Sequence, residues 1–315
     1  MKKTLLSGIQ PSGRPHIGNY FGAMKQFTDL QKDYQAFIMI ADYHALNSVQ
    51  SAQEMNDNII NLALDYLAIG LDPEKVVLFK QSDVSAHTEL AWIFDTITTM
   101  PFLMRAHAFK DAEAKNKEIS VGKFNYPILM AADILLYNTD IVPVGQDQKQ
   151  HIEYTRDIAQ KFNGTFGEVF KLPEPMILEN VAVVPGIDGQ KMSKSYKNTI
   201  ELFASDAEID KAVMSIVTDS SGDVPTNVYE IHKLFRSDAE LKALYAEHKG
   251  KYKALKEALA ADIKAFVAPM RERREKLAQD RASVIKILEA GAAKAKAVAD
   301  AKLAEVKEKI GVTIK

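Results

Sequence analysis

Two lysines separated by two residues form the first pattern in the sequence that could carry chemistry. Lys191 and Lys194 alternate with the hydroxyls of Ser193 and Ser195, and a stretch rich in Pro and Gly over residues 185–189 leads into them. Lysine carries a compact positive charge with three rotatable donors, which suits a site where a phosphate chain is gripped while its charge moves. Solvated surface loops are rich in the same residues. The pattern alone therefore fits either a polyphosphate site or an ordinary loop.

The N-terminal residues predict a strand, a tight turn and the start of a helix. An apolar run over residues 5–9 is followed by Pro11, Ser12 and Gly13, and an apolar pattern of helical period begins at Ile17. Backbone N–H groups at such a junction point away from the sheet, with the positive end of the helix dipole behind them, so that anions bind there. An ordinary strand-to-helix turn has the same outline, and the residues alone do not decide between the two.

The composition is that of a globular protein without cysteine chemistry. Its 315 residues, 47% of them hydrophobic, suffice for one large domain and a smaller one. The absence of cysteine excludes disulfides, thiolate zinc sites and iron–sulfur clusters. We expect a cytoplasmic protein, because no export signal follows Met1 and no apolar run approaches the roughly 20 residues of a membrane span. With a net charge of −2, any RNA contact must use a local basic face.

Strand-like and helix-like segments alternate through the first half of the chain. The apolar patterns predict strands over residues 5–9, 36–41, 76–80 and 140–144, and helices over 17–30, 56–69, 89–99, 126–137 and 147–163. This alternation predicts an α/β fold with a doubly wound, Rossmann-like parallel sheet. After Ser195 only helical patterns follow. We therefore predict a catalytic domain over residues 1–195 and an all-helical domain over 196–315, whose last helix carries an apolar stripe made of Ala293, Ala297, Ala301, Ala304 and Val306.

The motifs together resemble those of the class I aminoacyl-tRNA synthetases. Pro11-Ser12-Gly13 with His16-Ile17-Gly18-Asn19 resembles one signature of that class, and Lys191-Met192-Ser193-Lys194-Ser195 resembles the other. Residues 126–137, followed by Val142-Pro143-Val144-Gly145-Gln146-Asp147-Gln148, narrow the resemblance to the tryptophanyl-tRNA synthetases. The resemblance runs nearly from end to end of the chain.

The resemblance implies an enzyme that attaches tryptophan to tRNA in two steps. The tryptophan carboxylate attacks the α-phosphorus of ATP and releases pyrophosphate, and the aminoacyl group then moves to the terminal adenosine of the tRNA. The implied partners are L-tryptophan, ATP, tRNA and a second copy of the chain in a homodimer. Mg²⁺ is expected to arrive with ATP, and no metal site built by the protein itself is expected.

The same resemblance implies which residues meet the nucleotide. Lys191 and Lys194 supply positive charge to the leaving pyrophosphate, while Ser193 and Ser195 donate hydrogen bonds to its oxygens. His16 and Asn19 donate to the phosphates at the helix start. No general base is required, because the attacking carboxylate is already ionised. Further contacts with ATP are implied for Gln10, Pro11, Ser12, Gly18, Gly145, Gln146, Asp147, Val183 and Met192, although relatives usually carry Glu where this chain has Gln146.

Asp133 is the residue that points to the amino-acid substrate. It is an acid on an otherwise apolar helix, where a carboxylate must be paired or excluded from the core. An ion pair with a nearby Arg or Lys is one interpretation. The other is that Asp133 accepts a hydrogen bond from the indole N–H, a donor that tyrosine and phenylalanine do not present in the same place. Met130, Leu6, Val142 and Val144 would then wall the ring, and Tyr126, Gln148 and Gln10 would bind the ammonium end.

Basic residues outside the two motifs give weaker indications. Lys110 lies in an expected exposed insertion over residues 109–122, where the resemblance implies basic residues that reach the triphosphate. A second lysine of the bacterial relatives is Ala112 here, so that Lys115, Lys117 or neither takes its place. Arg271, Arg273 and Arg274 are candidates for contact with the anticodon stem, and a solvated helix face is the alternative. We expect the loop over residues 186–198, which has few apolar anchors, to close over ATP, so that the two motifs form one site only when it is closed.

Three other functions fit parts of the sequence. A tyrosyl-tRNA synthetase shares the fold and both motifs, but it needs a Tyr/Asp pair around the phenol, which Leu6 and Met130 do not offer. A nucleotidyltransferase that binds no RNA has no reason to carry the helical part after Ser195. A regulatory paralogue without activity could lose the phosphate-binding residues, whereas Lys191 and His16 are present here.

Overall fold

A five-stranded parallel sheet lies at the centre of the molecule. The structure, a computed structural model, describes residues 2–106, 109–110, 113, 118–145, 149–177, 184–218 and 224–314. The strands are β1 (Thr4–Ile9), β2 (Gln35–Ile40), β3 (Val76–Lys80), β4 (Ile141–Val144) and β5 (Glu174–Ile177), in the spatial order β3-β2-β1-β4-β5. Every neighbouring pair is parallel. The first four strands and the α/β class are confirmed. The fifth strand escaped prediction because it is a four-residue edge strand that contains a proline.

Helices surround this sheet and continue beyond it. Those in the described ranges are α1 (Ile17–Asn19), α2 (Lys25–Leu30), α3 (Asp42–Ala45), α4 (Ala52–Ala68), α5 (Ala86–Ile97), α6 (Met100–Leu103), α7 (Val121–Leu135), α8 (Lys149–Phe166), α9 (Asp206–Met214), α10 (Thr226–His232), α11 (Asp238–Glu247), α12 (Tyr252–Ala278) and α13 (Arg281–Lys309). A π-turn over Tyr20–Met24 joins α1 to α2. Across the described ranges, no helix combines the length and the apolar character that a membrane crossing requires.

Serine caps explain why two helices begin earlier than the apolar pattern predicts. The Ser51 side chain accepts a hydrogen bond from the backbone N–H of Glu54 and starts α4. The Ser120 side chain does the same with Lys123 and starts α7. Each cap satisfies one of the backbone donors that a helix start leaves without a partner. The expected insertion therefore ends at Ser120.

The two faces of the sheet bury separate apolar clusters. Successive strand residues point to opposite faces, so Leu5 and Ile38 belong to one cluster while Leu6 and Phe37 belong to the other. The first cluster includes residues of α4 and α12, and the second includes residues of α5, α7 and α8. Both faces of a parallel sheet are thereby covered, as a doubly wound fold requires.

The strand order reverses between β1 and β4, and this reversal positions the site. The chain leaves β1 towards β2 and β3 on one side, and returns to pair β4 with the other side of β1, where Leu5 lies opposite Ile141. In open parallel sheets the crevice beyond the carboxyl ends of the two strands at such a point binds ligands. The motif of residues 10–19 follows β1 directly, and Gly145 follows β4.

The last helix packs against the sheet through a face that differs from the predicted one. Among the five predicted stripe residues of α13, Val306 is buried and the four alanines are exposed. The observed buried face comprises Val284, Leu288, Gly291, Ala292, Ala295, Ala299, Lys302, Leu303 and Val306. The helix approaches the sheet closely at Gly291, where a Cβ would lie 1.8 Å from the carbonyl oxygen of Leu78 in β3. The choice of face is set by this close approach to a strand, which an alanine count does not reveal.

We predict that Gly291→Ala destabilises the protein. The added methyl group must displace either α13 or the backbone of β3, and overpacking of this kind costs about 1–3 kcal/mol of unfolding free energy or more. Urea denaturation followed by circular dichroism measures the change. Gly164→Ala in α8 is the matched control, because a Cβ there meets nothing within 4 Å, and an exposed helical alanine should stabilise by about 0.5–1 kcal/mol. Equal effects of the two variants would contradict the described contact between α13 and β3.

Candidate active site

The first motif is folded as a capped helix start. His16 is the N-cap of α1, and its Nδ1 accepts a hydrogen bond from the backbone N–H of Asn19 at 3.2 Å. In return, Asn19 Oδ1 accepts a hydrogen bond from the backbone N–H of His16 at 3.1 Å. The two side chains therefore close a capping box. Donation by His16 and Asn19 to phosphates stays a prediction, and it must use the atoms that the cap leaves available.

His16 is held neutral by its surroundings. The side chain is buried, with the residue only 6% exposed, and burial together with the positive charge of Lys194 lowers its pKa to about 4. Because Nδ1 accepts a hydrogen bond, the proton of the neutral ring lies on Nε2. The residue thus offers one N–H donor without a charge of its own.

The second motif touches the first in the described structure. Lys194 Nζ donates to the carbonyl oxygen of Gly13 at 2.7 Å and to that of Ser12 at 3.2 Å. At the edge of this contact, Arg14 forms an ion pair with Glu201 at 3.2 Å. The two motifs are therefore in contact in the described structure, and closure of the loop over ATP stays a prediction. The lysine reaches the turn because the chain after the loop runs alongside the helix start.

Backbone hydrogen bonds bring that chain into place. The N–H of Ile17 donates to the carbonyl oxygen of Ile200 at 3.0 Å, and the N–H of Leu202 donates to that of Pro15 at 2.9 Å. Ile17, Ile200 and Leu202 are fully buried. Hydrogen bonds in such surroundings are costly to break, because the freed groups find no water. The two motifs are thus fixed to each other by the fold.

The lysine-bearing loop also has an apolar anchor, contrary to expectation. Met192 is buried and belongs to the first apolar cluster, so the loop is not held by polar contacts alone. On the exposed side, the hydroxyls of Ser193 and Ser195 lie 2.9 Å apart. Alternation of a buried methionine with polar neighbours makes one edge of the loop face the core and the other face solvent, where Lys191 is also exposed.

Asp133 is a buried carboxylate surrounded by three donors. It is 2% exposed. Its Oδ1 is bonded to Gln81 Nε2 at 2.8 Å and to His87 Nδ1 at 2.6 Å, and its Oδ2 to His44 Nε2 at 2.8 Å. Burial opposes ionisation, but the hydrogen bonds from His44 and His87 outweigh it and hold the pKa of the Asp133 carboxyl well below its usual value. The charge is therefore paired, but with imidazoles and an amide rather than with Arg or Lys.

The donor set leaves one oxygen less occupied than the other. A carboxylate accepts about four hydrogen bonds, two at each oxygen. Asp133 Oδ1 has two protein partners and Oδ2 has one. His87 is itself fixed from behind by the hydroxyl of Tyr137, 2.8 Å from its Nε2. The remaining capacity of the carboxylate therefore lies at Oδ2, on the side of His44.

Sequence reasoning missed His44, Gln81 and His87. A signal was available for two of them, because His44 lies shortly after β2 and Gln81 directly after β3, at the carboxyl ends of the strands where ligand sites form. His87 lies in α5 and has no such marker. A buried acid requires donors, and neutral polar residues near strand ends can supply them as well as Arg and Lys.

The predicted walls of the tryptophan pocket are brought together. Leu6 on β1 and Val142 and Val144 on β4 are buried in the second apolar cluster, and Met130 on α7 packs against it. Tyr126 hydroxyl lies 3.1 Å from His151 Nε2. Their role in binding stays a prediction. The predicted ligand-binding residues Gln146, Asp147, Gln148 and Val183 lie outside the described residues.

The arginine cluster has partners within the chain. Arg271 donates to the carbonyl oxygen of Ala204 and the carboxylate of Asp206, and Arg273 donates to the carbonyl oxygen of Ala68. Arg274 pairs with Asp65 of α4, whose pKa is raised to about 6 by burial despite this neighbour. The cluster ties α12 to α4 and to the segment before α9. Lys110 is exposed, and Lys115 and Lys117 lie outside the described residues.

Comparisons with known proteins agree with this geometry. Residues 2–286 match the family model of tRNA synthetases class I (W and Y). The tryptophan–tRNA ligase of Fusobacterium nucleatum is 49% identical over an alignment of 319 residues that covers 98% of each chain. The structure of the Campylobacter jejuni tryptophanyl-tRNA synthetase complexed with ADP and tryptophan is 45% identical, with a TM-score of 0.91 over 98% of this chain and 99% of that one. A tyrosyl-tRNA synthetase from Archaeoglobus fulgidus shares the fold at 21% identity and a TM-score of 0.68, over 87% and 90% of the two chains.

We predict that His16 titrates at about pH 4 as a ring protonated on Nε2. Nuclear magnetic resonance of protein labelled with ¹⁵N-histidine reads both the pKa and the tautomer. Because the folded pKa lies below the unfolded value of about 6.5, the unfolded state binds more protons between these values, and the contribution of His16 to stability falls as the pH drops from about 6.5 to 4. Lys194→Ala should raise the pKa of His16, since it removes a nearby positive charge. A midpoint near 6.5 in the intact protein would contradict the burial described here.

Proposed function

The chain belongs to the class I tRNA synthetases for tryptophan and tyrosine, and we propose that the crevice between β1 and β4 holds ATP and tryptophan side by side. The protein is an aminoacyl-tRNA synthetase, a tryptophan–tRNA ligase. The observation that carries our assignment of roles is the pair of hydrogen bonds from Lys194 to the turn of residues 12–13, because it joins the lysine-bearing loop to the anion-binding helix start.

The first step is adenylate formation. The triphosphate lies over the first turn of α1, where the backbone N–H of Gly18 and the neutral Nε2–H of His16 donate to its oxygens, since the N–H groups of Ile17 and Asn19 bond within the chain. Lys191 and Lys194 neutralise the charge that grows on the leaving pyrophosphate, and the hydroxyls of Ser193 and Ser195 donate to it. Phosphoryl chemistry of this kind depends on positioning and charge, so no protein group needs to become covalently attached.

Recognition of tryptophan is assigned to Asp133. Its Oδ2 keeps an acceptor position beside His44, and it accepts the indole N–H, while Leu6, Met130, Val142 and Val144 enclose the ring. An ionised acceptor suits a neutral N–H donor, and a buried acceptor left without a partner penalises every amino acid that lacks this donor. The fold is similar to that of a tyrosyl-tRNA synthetase, but we propose tryptophan rather than tyrosine as the substrate. Leu6 and Met130, at the proposed pocket wall, offer no hydroxyl that could bind a phenol.

The remaining contacts of the substrates complete the proposal. Gln10, Pro11, Ser12, Asn19 and Met192 line the nucleotide from the side of β1, and Gly18 and Gly145 let the adenosine approach the backbone. Gln146, Asp147 and Val183 are assigned to the nucleotide and Tyr126 and Gln148 to the ammonium group of tryptophan. Mg²⁺ would enter with ATP and would supply further positive charge at the phosphates, beside Lys191 and Lys194.

We also propose that the protein binds tRNA, forms a homodimer and acts in the cytoplasm. Residues 196–315 contact the anticodon end of tRNA, although their last helix packs on β3 and Arg271 and Arg274 have partners inside the chain. A homodimer is supported by exposed apolar side chains on neighbouring elements, namely Trp92 at 71%, Met100 at 62%, Met104 at 43% and Val121 at 75% exposure. The cytoplasm supplies the ATP and the tRNA that the reaction needs.

We predict that Asp133→Asn lowers kcat/KM for tryptophan, with a loss of transition-state stabilisation of about 1–3 kcal/mol. The amide turns its own N–H donor towards the surrounding donors or towards the indole. ATP–pyrophosphate exchange should be measured with tryptophan and with the benzothiophene analogue, in which sulfur replaces the indole N–H. The variant should lose discrimination between the two. Asp95→Asn is the control, because Asp95 accepts from Asn125 between α5 and α7. Equal losses for both substrates would show that Asp133 acts on the fold rather than on the indole.

We also predict that Lys194→Ala slows adenylate formation roughly 10²-fold or more and leaves the equilibrium affinity for tryptophan nearly unchanged. The lysine acts on charge that develops in the transition state, so the loss appears in kcat. Single-turnover kinetics and tryptophan titration separate the two quantities. Lys197→Asn is the comparison, since it removes a neighbouring charge at φ 54°, a conformation that asparagine tolerates. An unchanged single-turnover rate in Lys194→Ala would refute the phosphate-binding role of the loop.

A further inference from the structure

A buried asparagine at the end of the lysine-bearing loop uses its amide to hold that loop together. Asn198 is 2% exposed. Its Oδ1 accepts a hydrogen bond from the backbone N–H of Ser193 at 2.8 Å. Its Nδ2 donates to the carbonyl oxygen of Lys191 at 3.2 Å and to Asp188 Oδ1 at 2.7 Å. The amide therefore binds the backbone on both sides of Met192, at two residues whose side chains are assigned to the pyrophosphate.

Gly186 leaves the space that the Asn198 amide occupies. A Cβ at Gly186 would lie 2.3 Å from Asn198 Nδ2, so any larger residue at that position would displace the side chain. The backbone of Asn198 joins the same arrangement, since its carbonyl oxygen accepts from the N–H of Ile187 at 3.0 Å. Asp188 in turn accepts from the backbone N–H of Gln190 at 3.0 Å. The side chain of Asn198 thus lies against Gly186, Asp188, Lys191 and Ser193.

Backbone hydrogen bonds fix the first part of the loop, from the N–H of Gly186 to Gln190 at 2.6 Å and from that of Met192 to Val184 at 2.9 Å. Beyond Met192, residues Lys194–Tyr196 form a single 3₁₀ turn. Side-chain contacts such as those of Asn198 are what join this turn to the first part of the loop. Because the Asn198 amide is buried, water cannot replace the bonds it makes, and losing one leaves a donor or acceptor without a partner.

We propose that Asn198 is a positioning residue for the adenylation step, which fixes the backbone of Lys191 and Ser193 so that their side chains face the leaving pyrophosphate. The inference rests on the proposed phosphate-binding role of the loop. Charge stabilisation requires donors held in place before the reaction, and a displacement of about 1 Å in a reacting site can lower a rate roughly 10²-fold. Tryptophan is bound by other elements, so its affinity does not depend on Asn198.

The test swaps the amide and the carboxylate of the hydrogen-bonded pair Asn198 and Asp188. Asn198→Asp keeps the volume and the acceptor for Ser193, but it loses both donors and sets a second carboxylate against Asp188. We expect kcat of ATP–pyrophosphate exchange to fall roughly tenfold or more, with the equilibrium affinity for tryptophan unchanged. Adding Asp188→Asn returns a donor to the pair from the other side, and the double variant should recover most of the lost kcat, as a coupled pair requires.

Asn163→Asp is the matched control. Asn163 is a second amide that staples a loop, between α8 and β5: its Oδ1 accepts from the backbone N–H groups of Val169 and Phe170, and its Nδ2 donates to the carbonyl oxygen of Phe170 and to Glu168. This variant should lower the melting temperature to a similar degree but leave the exchange kinetics of the folded enzyme unchanged. An unchanged kcat in Asn198→Asp, or a loss that Asp188→Asn does not relieve, would overturn the inference.

The same assay separates this inference from the proposed function. If Lys194→Ala lowers kcat while Asn198→Asp does not, the loop binds phosphate and Asn198 has no positioning role. If neither variant lowers kcat, the phosphate-binding role of the loop fails as well. Hydrogen exchange of the backbone N–H of Ser193 gives a readout independent of activity, because this N–H donates to Asn198. Repulsion by Asp188 should displace the new carboxylate of Asn198→Asp from this N–H, so that its protection falls in the single variant and returns in the double variant.

Discussion

Two buried backbone hydrogen bonds make one site out of segments nearly two hundred residues apart. The N–H of Ile17 donates to Ile200, and that of Leu202 donates to Pro15. Because these groups are shielded from water, the chain after the lysine-bearing loop cannot leave the helix start without a large cost. The reach of Lys194 and the burial of His16 presuppose this pairing, which is a constraint of the fold.

The site controls charge in opposite ways at its two ends. At the end proposed to bind nucleotide, burial and a neighbouring lysine keep His16 neutral, so its ring offers one N–H donor. At the end proposed to bind the amino acid, donors from three directions keep Asp133 ionised although it is buried. Both results follow from the same rule, that burial penalises a charge unless nearby groups compensate for it. The sequence distance between these two residues has no bearing on the outcome, since neighbours in space decide it.

Sequence reasoning succeeded where the pattern is local and failed where the contact is distant. Four strands and the longer helices followed from apolar periodicity, whereas the short helices α3 and α6 did not, and the two signature motifs stood out as short strings of residues. The partners of Asp133 did not, because His44, Gln81 and His87 converge from three separate elements. The face of α13 was mispredicted for the same reason, since the approach of Gly291 to Leu78 is a property of the assembled sheet. The loop over residues 186–198 has few apolar residues in its sequence, and the burial of Met192 in the first apolar cluster depends on where that loop packs.

The donor set around Asp133 has a consequence for any attempt to change which amino acid the enzyme accepts. Replacing the carboxylate by an apolar residue would leave His44, Gln81 and His87 as buried donors without an acceptor, each at a cost of about 1–3 kcal/mol. A new specificity would therefore need several simultaneous replacements, and the intermediates with one replacement would be less stable than either endpoint. Substitutions at these positions are thus coupled, and under the role proposed for Asp133 a change of preferred amino acid must pass through less stable single variants.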